Sequence, residues 1–164
     1  NNIRAQYNGV LASASTEANP MTFYKNSYLS DGSWSSTKTA YDPCPAGWRV
    51  PEGGENGVWA KALGASSNVL VSSNSTNAGI NFTGKLGDAE SIWYPTTGFL
   101  TGNEGALICV NSHGNFWSCS RYDKENYRNN IYYMYFLITG DIYPFENTSF
   151  PIEGNAVRCL KETE

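Results

Sequence analysis

The chain has 164 residues, enough for one domain with its own core and no need of a metal staple. Only 16% of its residues are charged, Gly, Ser, Asn and Tyr are abundant, and the net charge is -4. That balance, without a Lys/Arg cluster, argues against a nucleic-acid binder, which needs basic residues to displace counterions, and suits an extracellular, loop-rich β-containing domain.

No run reaches the roughly 18 apolar residues that a membrane span requires. With no initiator Met, signal peptide or lipobox, residues 1–164 read as a single mature or excised domain, the C-terminal domain of a larger protein. Four cysteines allow three disulfide connectivities. There is no CxxC pair and His113 is the sole histidine, so zinc is a poor reading. Paired disulfides are the expectation, with free buried thiols as the alternative.

In chain order, residues 1 to 19 read as loop or edge strand, and Pro20-Met21-Thr22-Phe23-Tyr24 as a strand start. A Ser/Gly-rich connection over 26–39 carries Trp34, read as core filler. Tyr41-Asp42-Pro43-Cys44-Pro45-Ala46-Gly47-Trp48-Arg49-Val50-Pro51 holds too much proline for a helix and predicts a rigid corner followed by a short extended run. Asn56 can cap a helix over Gly57 to Leu63, stopped by Gly64, with Val58, Trp59, Ala62 and Leu63 on one face. Residues 65–79 are Ser/Asn-rich and read as a long surface loop. Ile80-Asn81-Phe82 and Ser91 to Pro95 are short strands, and Phe99-Leu100 is a further apolar pair.

Leu107-Ile108-Cys109-Val110 and Phe116-Trp117-Ser118-Cys119 flank a turn-like segment and predict a hairpin. With a three-residue loop, Cys109 lies opposite Cys119 and the two can bond; a two-residue turn would set Cys109 opposite Ser118 instead. Pairing Cys109 with Cys119 leaves Cys44 for Cys159. Between Ile131 and Leu137 alternation separates two faces, Tyr132, Met134 and Phe136 on one, Ile131, Tyr133, Tyr135 and Leu137 on the other.

Asn19 to Tyr24, the proline corner Tyr41 to Pro51, Phe116-Trp117-Ser118 and Ala156-Val157-Arg158-Cys159 together resemble the Fibrobacter succinogenes major paralogous domain, found in surface and fimbrillin-like proteins of Bacteroides-type bacteria. The resemblance covers about residues 17 to 162. It implies an α+β C-type lectin-like fold of short mixed strands with one or two helices, disulfide-stapled. The Trp-Ser start and Val-Arg-Cys close are also similar to the variable proteins of diversity-generating retroelements, whose lectin-like face is rewritten at adenine-rich codons. Residues 121–153 are rich in amino acids that such codons permit. Cys109 and Cys119 depart from the family pattern, which favours pairing them with each other. Pro151 stands where related sequences often carry Arg.

The resemblance implies that Met134 and Phe136 are scaffold and that Tyr133 and Tyr135 face a ligand; the alternative buries both faces. Tyrosine gives wide rigid contact with a polar tip at low entropic cost. Arg121, Tyr122, Asp123, Tyr127, Asn129 and Asn130 belong to a neighbouring loop, and Tyr143, Phe145, Glu146 and Asn147 to the next. Trp117 and Trp48 read as core. The calcium motifs of sugar-binding C-type lectins do not occur, and Asp141, Glu146 and Asn147 lack motif spacing. No catalytic set can be assembled around His113, and Cys109 with Cys119 only weakly suggest the formylglycine-generating enzymes of similar fold. Given the resemblance to bacterial proteins, the sequons at Asn74, Asn81 and Asn147 carry no weight.

The expectation is therefore an adhesin-like ligand-binding domain at the bacterial cell surface, on a pilus tip or a surface lipoprotein, without catalysis, metal or cofactor. It would take a protein or glycan through Arg121, Asp123, Tyr127, Asn129, Tyr133, Tyr135, Tyr143, Phe145 and Glu146. The competing expectation is a structural fimbrial module with no ligand of its own.

Overall fold

A computed structural model describes residues 5–6, 23–24, 34–39, 42–63, 70–74, 78–83, 92–102, 104–122, 130–149 and 153–162. The described chain is mostly antiparallel β-structure with one short helix. Early in the chain, β1 (Ala5–Gln6) pairs in parallel with β2 (Phe23–Tyr24), the strand expected after Pro20. The proline corner delivers β3 (Trp48–Arg49), which pairs antiparallel with the terminal strand β12 (Leu160–Lys161). Cys44 and Cys159 are bonded as expected, with Cα atoms 5.7 Å apart, and close a loop across 115 positions.

The helix α1 (Val58–Leu63) stands where helical spacing placed it, with Trp59 buried and Leu63 packed on the core. Strands β4 (Leu70–Asn74), β5 (Gly79–Thr83) and β6 (Ile92–Pro95) form a three-stranded sheet with β5 central. The expected surface loop over 65–79 thus contains a strand. Its register sets Val71 against Phe82 and Ser73 against Ile80, so backbone pairing places a segment that its polar composition did not mark. A small pair, β7 (Phe99–Leu100) with β8 (Leu107–Ile108), follows.

The largest sheet holds β9 (His113–Tyr122), β10 (Asn130–Leu137) and β11 (Ile142–Ser149), with β10 in the middle. Its inner face supplies Phe116, Met134 and Phe136 to a cluster completed by Trp59, Ile80 and Phe82. Met134 and Phe136 are fully buried, as scaffold residues should be. Tyr94 ties the two sheets together: its ring stands edge-on to Phe82 and Phe116 at 5.1 and 5.0 Å, and its hydroxyl accepts the Trp59 indole N–H at 3.1 Å. Arg158 lies 4.4 Å over the same ring and donates to the Trp93 carbonyl.

The expected hairpin between Leu107–Val110 and Phe116–Cys119 does not form. β8 pairs with β7, and the chain turns at Cys109, whose φ of 57° lies in the left-handed region. The Ser112 and His113 amides both donate to the Cys109 carbonyl, which closes the turn before β9 begins. Cys119 lies six residues along β9 from His113, about 20 Å at the rise of a strand, so Cys109 and Cys119 cannot meet. Both are free thiols, and the staple expected between them is corrected.

Of the two tryptophans read as core, Trp48 departs from expectation and Trp117 meets it. Trp48 is 40% exposed, because its amide donates to the Pro45 carbonyl and closes a turn at the surface. Trp117 is buried, but it packs on the sheet face opposite Phe116. Ile131, grouped by alternation with Tyr133 and Tyr135, is buried at 5% exposure.

Two substitutions test this frame. Asp42→Ala removes the carboxylate that accepts the buried Cys44 and Val50 amides at 2.8 and 2.9 Å, so urea denaturation should show a loss on the order of 3 kcal/mol. A methyl group at Gly114 would collide with the Phe136 ring, so Gly114→Ala should lose about 1–3 kcal/mol in the same assay.

Candidate ligand-binding face

Three strands and one short segment build the outer face of the β9–β10–β11 sheet. Tyr135 sits opposite Tyr143 on β11 and opposite Asn115 on β9. One pair further along, Tyr133 sits opposite Trp117 and Asn147. The segment 154–156 runs beside β9, with a parallel bridge between Phe116 and Ala156. Because Ala156 packs on the core, alternation turns Asn155 toward the side of Asn115 and Trp117.

Cross-strand pairing at this spacing brings rings into contact. Tyr135 and Tyr143 are stacked with centroids 5.6 Å apart and planes 23° from parallel. The other contacts are edge-on: His113 to Tyr135 at 5.4 Å, Trp117 to Tyr133 at 5.8 Å, and Tyr133 to Tyr135 at 6.4 Å. Exposure rises across the sheet, from buried Trp117 through half-buried Tyr133 and Tyr135 to Tyr143, which is 38% exposed.

The phenols of Tyr133 and Tyr135 are both pushed above the usual tyrosine value, chiefly by burial. After burial, the Glu153 carboxylate acts on Tyr133, while Cys109, Tyr143 and Asp141 act on Tyr135. Both rings therefore remain neutral hydrogen-bonding groups across the physiological range. Asn115 Oδ1, Asn147 Nδ2 and both amide atoms of Asn155 are buried without a hydrogen-bond partner. Such orphaned amides are uncommon in a protein interior, and here they border the aromatic rows.

Of the residues that the sequence nominated, Tyr133, Tyr135 and Tyr143 come together. Phe145 and Glu146 lie in a bulge where β11 runs Pro144 to Glu146 against the single residue Met134; Phe145 is half-buried. Arg121 pairs with Ile131 beyond a second bulge, where β9 runs Ser118 to Ser120 against Tyr132. That places Arg121 four residues past Trp117, about 13 Å along the strand. Asp123, Tyr127 and Asn129 lie outside the described residues.

Sequence reasoning missed His113, Asn115 and Trp117 as members of this face. A signal existed: with Phe116 inside, residues 113, 115 and 117 share the opposite parity. It also missed an exposed apolar ridge beside the face, Leu107 at 60%, Ile108 at 39% and Val110 at 46% exposure. Among the described residues no three His, Cys, Asp or Glu side chains gather as a metal site would require, and no helix is long and apolar enough to cross a membrane.

The two free thiols differ in environment. Burial, followed by the nearby Glu52 carboxylate, pushes the Cys119 thiol up to about 11, so almost none is thiolate at pH 8. A disulfide-exchange reagent at pH 8 should therefore label one equivalent quickly, at Cys109, and Cys109→Ser should abolish the fast phase. Rapid reaction of two equivalents would contradict the raised thiol pKa of half-buried Cys119.

No protein-family model, no curated protein and no solved structure matches this chain, so its residues and geometry alone carry the functional reading.

Proposed function

We propose that this chain is an extracellular, adhesin-like ligand-binding domain that carries out no chemistry and recognises a protein or glycan through the outer face of its β9–β10–β11 sheet. The observation that carries this reading is the cross-strand row Trp117–Tyr133–Tyr135–Tyr143 on the face turned away from Phe116, Met134 and Phe136. Tyrosines held by neighbouring strands are already ordered, so a ligand gains contact area without paying much side-chain entropy. A disulfide and the lack of a membrane-spanning helix among the described residues fit a secreted or extracellular protein.

On the same reading the chain is a C-type lectin-like domain of the Fibrobacter succinogenes major paralogous type, carried on a fimbria or cell surface of a Bacteroides-type bacterium. Support comes from the way the motifs meet: the proline corner pairs with the terminal strand and is bonded to the Val-Arg-Cys close. The display face is proposed to be diversified by a retroelement. The tyrosine- and asparagine-rich composition of residues 121–153 supports that step.

One observation favours a second reading, a structural fimbrial module. The exposed ridge Leu107, Ile108 and Val110 adjoins the face and would suit a neighbouring subunit.

The test is a screen of the immobilised domain against glycan arrays and surface-protein libraries, in parallel with Tyr135→Ala and Tyr143→Ala. Both variants should keep wild-type folding by circular dichroism and lose captured ligand at least tenfold, since central tyrosines commonly act as hot spots of more than about 1.4 kcal/mol. Unfolding of Tyr143→Ala would mean the face is core. Concentration-dependent self-association, with no ligand captured, would favour the structural module.

A further inference from the structure

The binding reading leaves open what the ligand presents to the tyrosines, and the charge around them narrows it. Asp141 ends the turn between β10 and β11, where its carbonyl accepts the Leu137 amide, and it directly precedes Ile142 and Tyr143. It is exposed, and its carboxylate accepts a hydrogen bond from the Thr139 hydroxyl at 3.0 Å. Glu153 opens the segment that borders β9 on the other side of the same rings. The two acids thus flank the aromatic row from opposite edges of the sheet, and neither is in an ion pair among the described residues.

Among the described residues, three cations are committed elsewhere. Lys38 is held by Asp42 and two carbonyls, Arg49 pairs with Glu52 at 2.8 Å, and Arg158 lies over Tyr94 on the core side. Ring geometry points the same way. Three of the four contacts are edge-on, at 68° to 80°, and Tyr135 and Tyr143 cover each other by stacking. Such an array gives walls, as a cation-binding cage does, rather than the open flat ring on which a pyranose stacks. The chain's net charge of -4 adds long-range attraction of the same sign.

We infer that this face takes a cationic protein segment, with Lys or Arg side chains seated against Tyr133, Tyr135 and Tyr143 between the carboxylates of Asp141 and Glu153. The inference rests on the binding reading and deepens it by naming the ligand chemistry. The negative faces of the rings attract the cation, the carboxylates at the edges strengthen the attraction, and an arginine can stack and donate hydrogen bonds at once. Burial raises both phenols most; Glu153 comes next for Tyr133, and Asp141 acts on Tyr135 after Cys109 and Tyr143, which is consistent with the two acids lying near the rings.

The experiment is a titration of the whole chain, with labelled tyrosine rings followed by NMR, against four probes: the acetylated methylamides of arginine, lysine and norleucine, and methyl β-glucopyranoside. The arginine and lysine probes should shift the Tyr133, Tyr135 and Tyr143 signals, and the other two should not. In Asp141→Asn with Glu153→Gln, which preserve side-chain size, the cationic probes should bind about threefold or more weakly, and salt at 0.5 M should weaken them similarly. Shifts by the glucoside alone would overturn the cationic inference and leave a glycan-binding face. Cationic binding that is unchanged in the double variant would remove the carboxylates from the site and overturn the inference as stated. Silence of all three ring signals with every probe, in a domain that still captures its ligand in the screen above, would overturn the inference alone; silence together with a failed screen would overturn the binding reading too.

Discussion

Everything about the face depends on how the proline corner is held. The Asp42 carboxylate accepts the Cys44 amide on one oxygen and the Val50 amide on the other, and so spans the corner from side to side. The Lys38 ammonium completes the arrangement, donating to the Cys44 and Trp48 carbonyls at 2.6 and 2.8 Å and lying 3.4 Å from Asp42. A buried carboxylate with this many donors is compensated, whereas the same group with its partners removed would be costly. The corner then presents the Pro51 carbonyl to the Cys119 amide and the Gly53 amide to the Ser120 hydroxyl, which docks it on the far end of β9. The Cys44–Cys159 bond adds the terminal segment to the same anchor. In the chain-entropy account, closing so long a loop contributes on the order of 5 kcal/mol, all of it by restricting the unfolded chain.

With β9 gripped from both sides, β10 becomes the central strand and its two faces take different fates. The inner face is packed so closely that glycine is required where rings approach the backbone. Gly114 admits the Phe136 ring, and Gly53 and Gly54 lie against Tyr132. Ser118 is fully buried and donates to the Tyr132 carbonyl at 2.7 Å, satisfying a backbone group that the bulge removes from regular pairing. The outer face has no comparable cover over Tyr143. Its order comes from rings leaning on rings across strands, and that order runs from buried Trp117 outward.

The sequence made the frame legible because its signals were local. Three prolines around Cys44 left few conformations for the corner, helical spacing marked Trp59 and Leu63, and strict alternation exposed Met134 and Phe136 as one set. The hairpin reading failed for an equally physical reason. Two short apolar runs separated by a turn-like segment are compatible with pairing to each other, but each found another partner, β7 for one and β10 for the other. Such partner choice is decided by long-range packing, and no residue between 107 and 119 encodes it. The strand at Leu70–Asn74 was missed on similar grounds, since its serines and asparagine carry little β signal and pairing with β5 supplies the order. The aromatic face was half visible: parity revealed Tyr133 and Tyr135, but Tyr143 meets Tyr135 through the register set by the turn before β11, whose length the sequence does not announce.

That mixture of buried and exposed rings bears on whether the face suits diversification. A surface that is rewritten from copy to copy needs positions whose side chains change without loss of the fold, and independence of that kind falls off when residues share partners. Tyr143 meets the requirement, being exposed, on an edge strand, and stacked only on Tyr135 among the described rings. Tyr135 is intermediate, since His113, Tyr133 and Tyr143 all touch it. Tyr133 is coupled to buried Trp117, so its replacement would loosen the part of the sheet nearest the Ala156 bridge. On the proposed reading, variation should then concentrate toward β11 and thin out toward β9. The gradient of burial across three strands becomes a gradient of permitted change, with recognition placed where the core depends on it least.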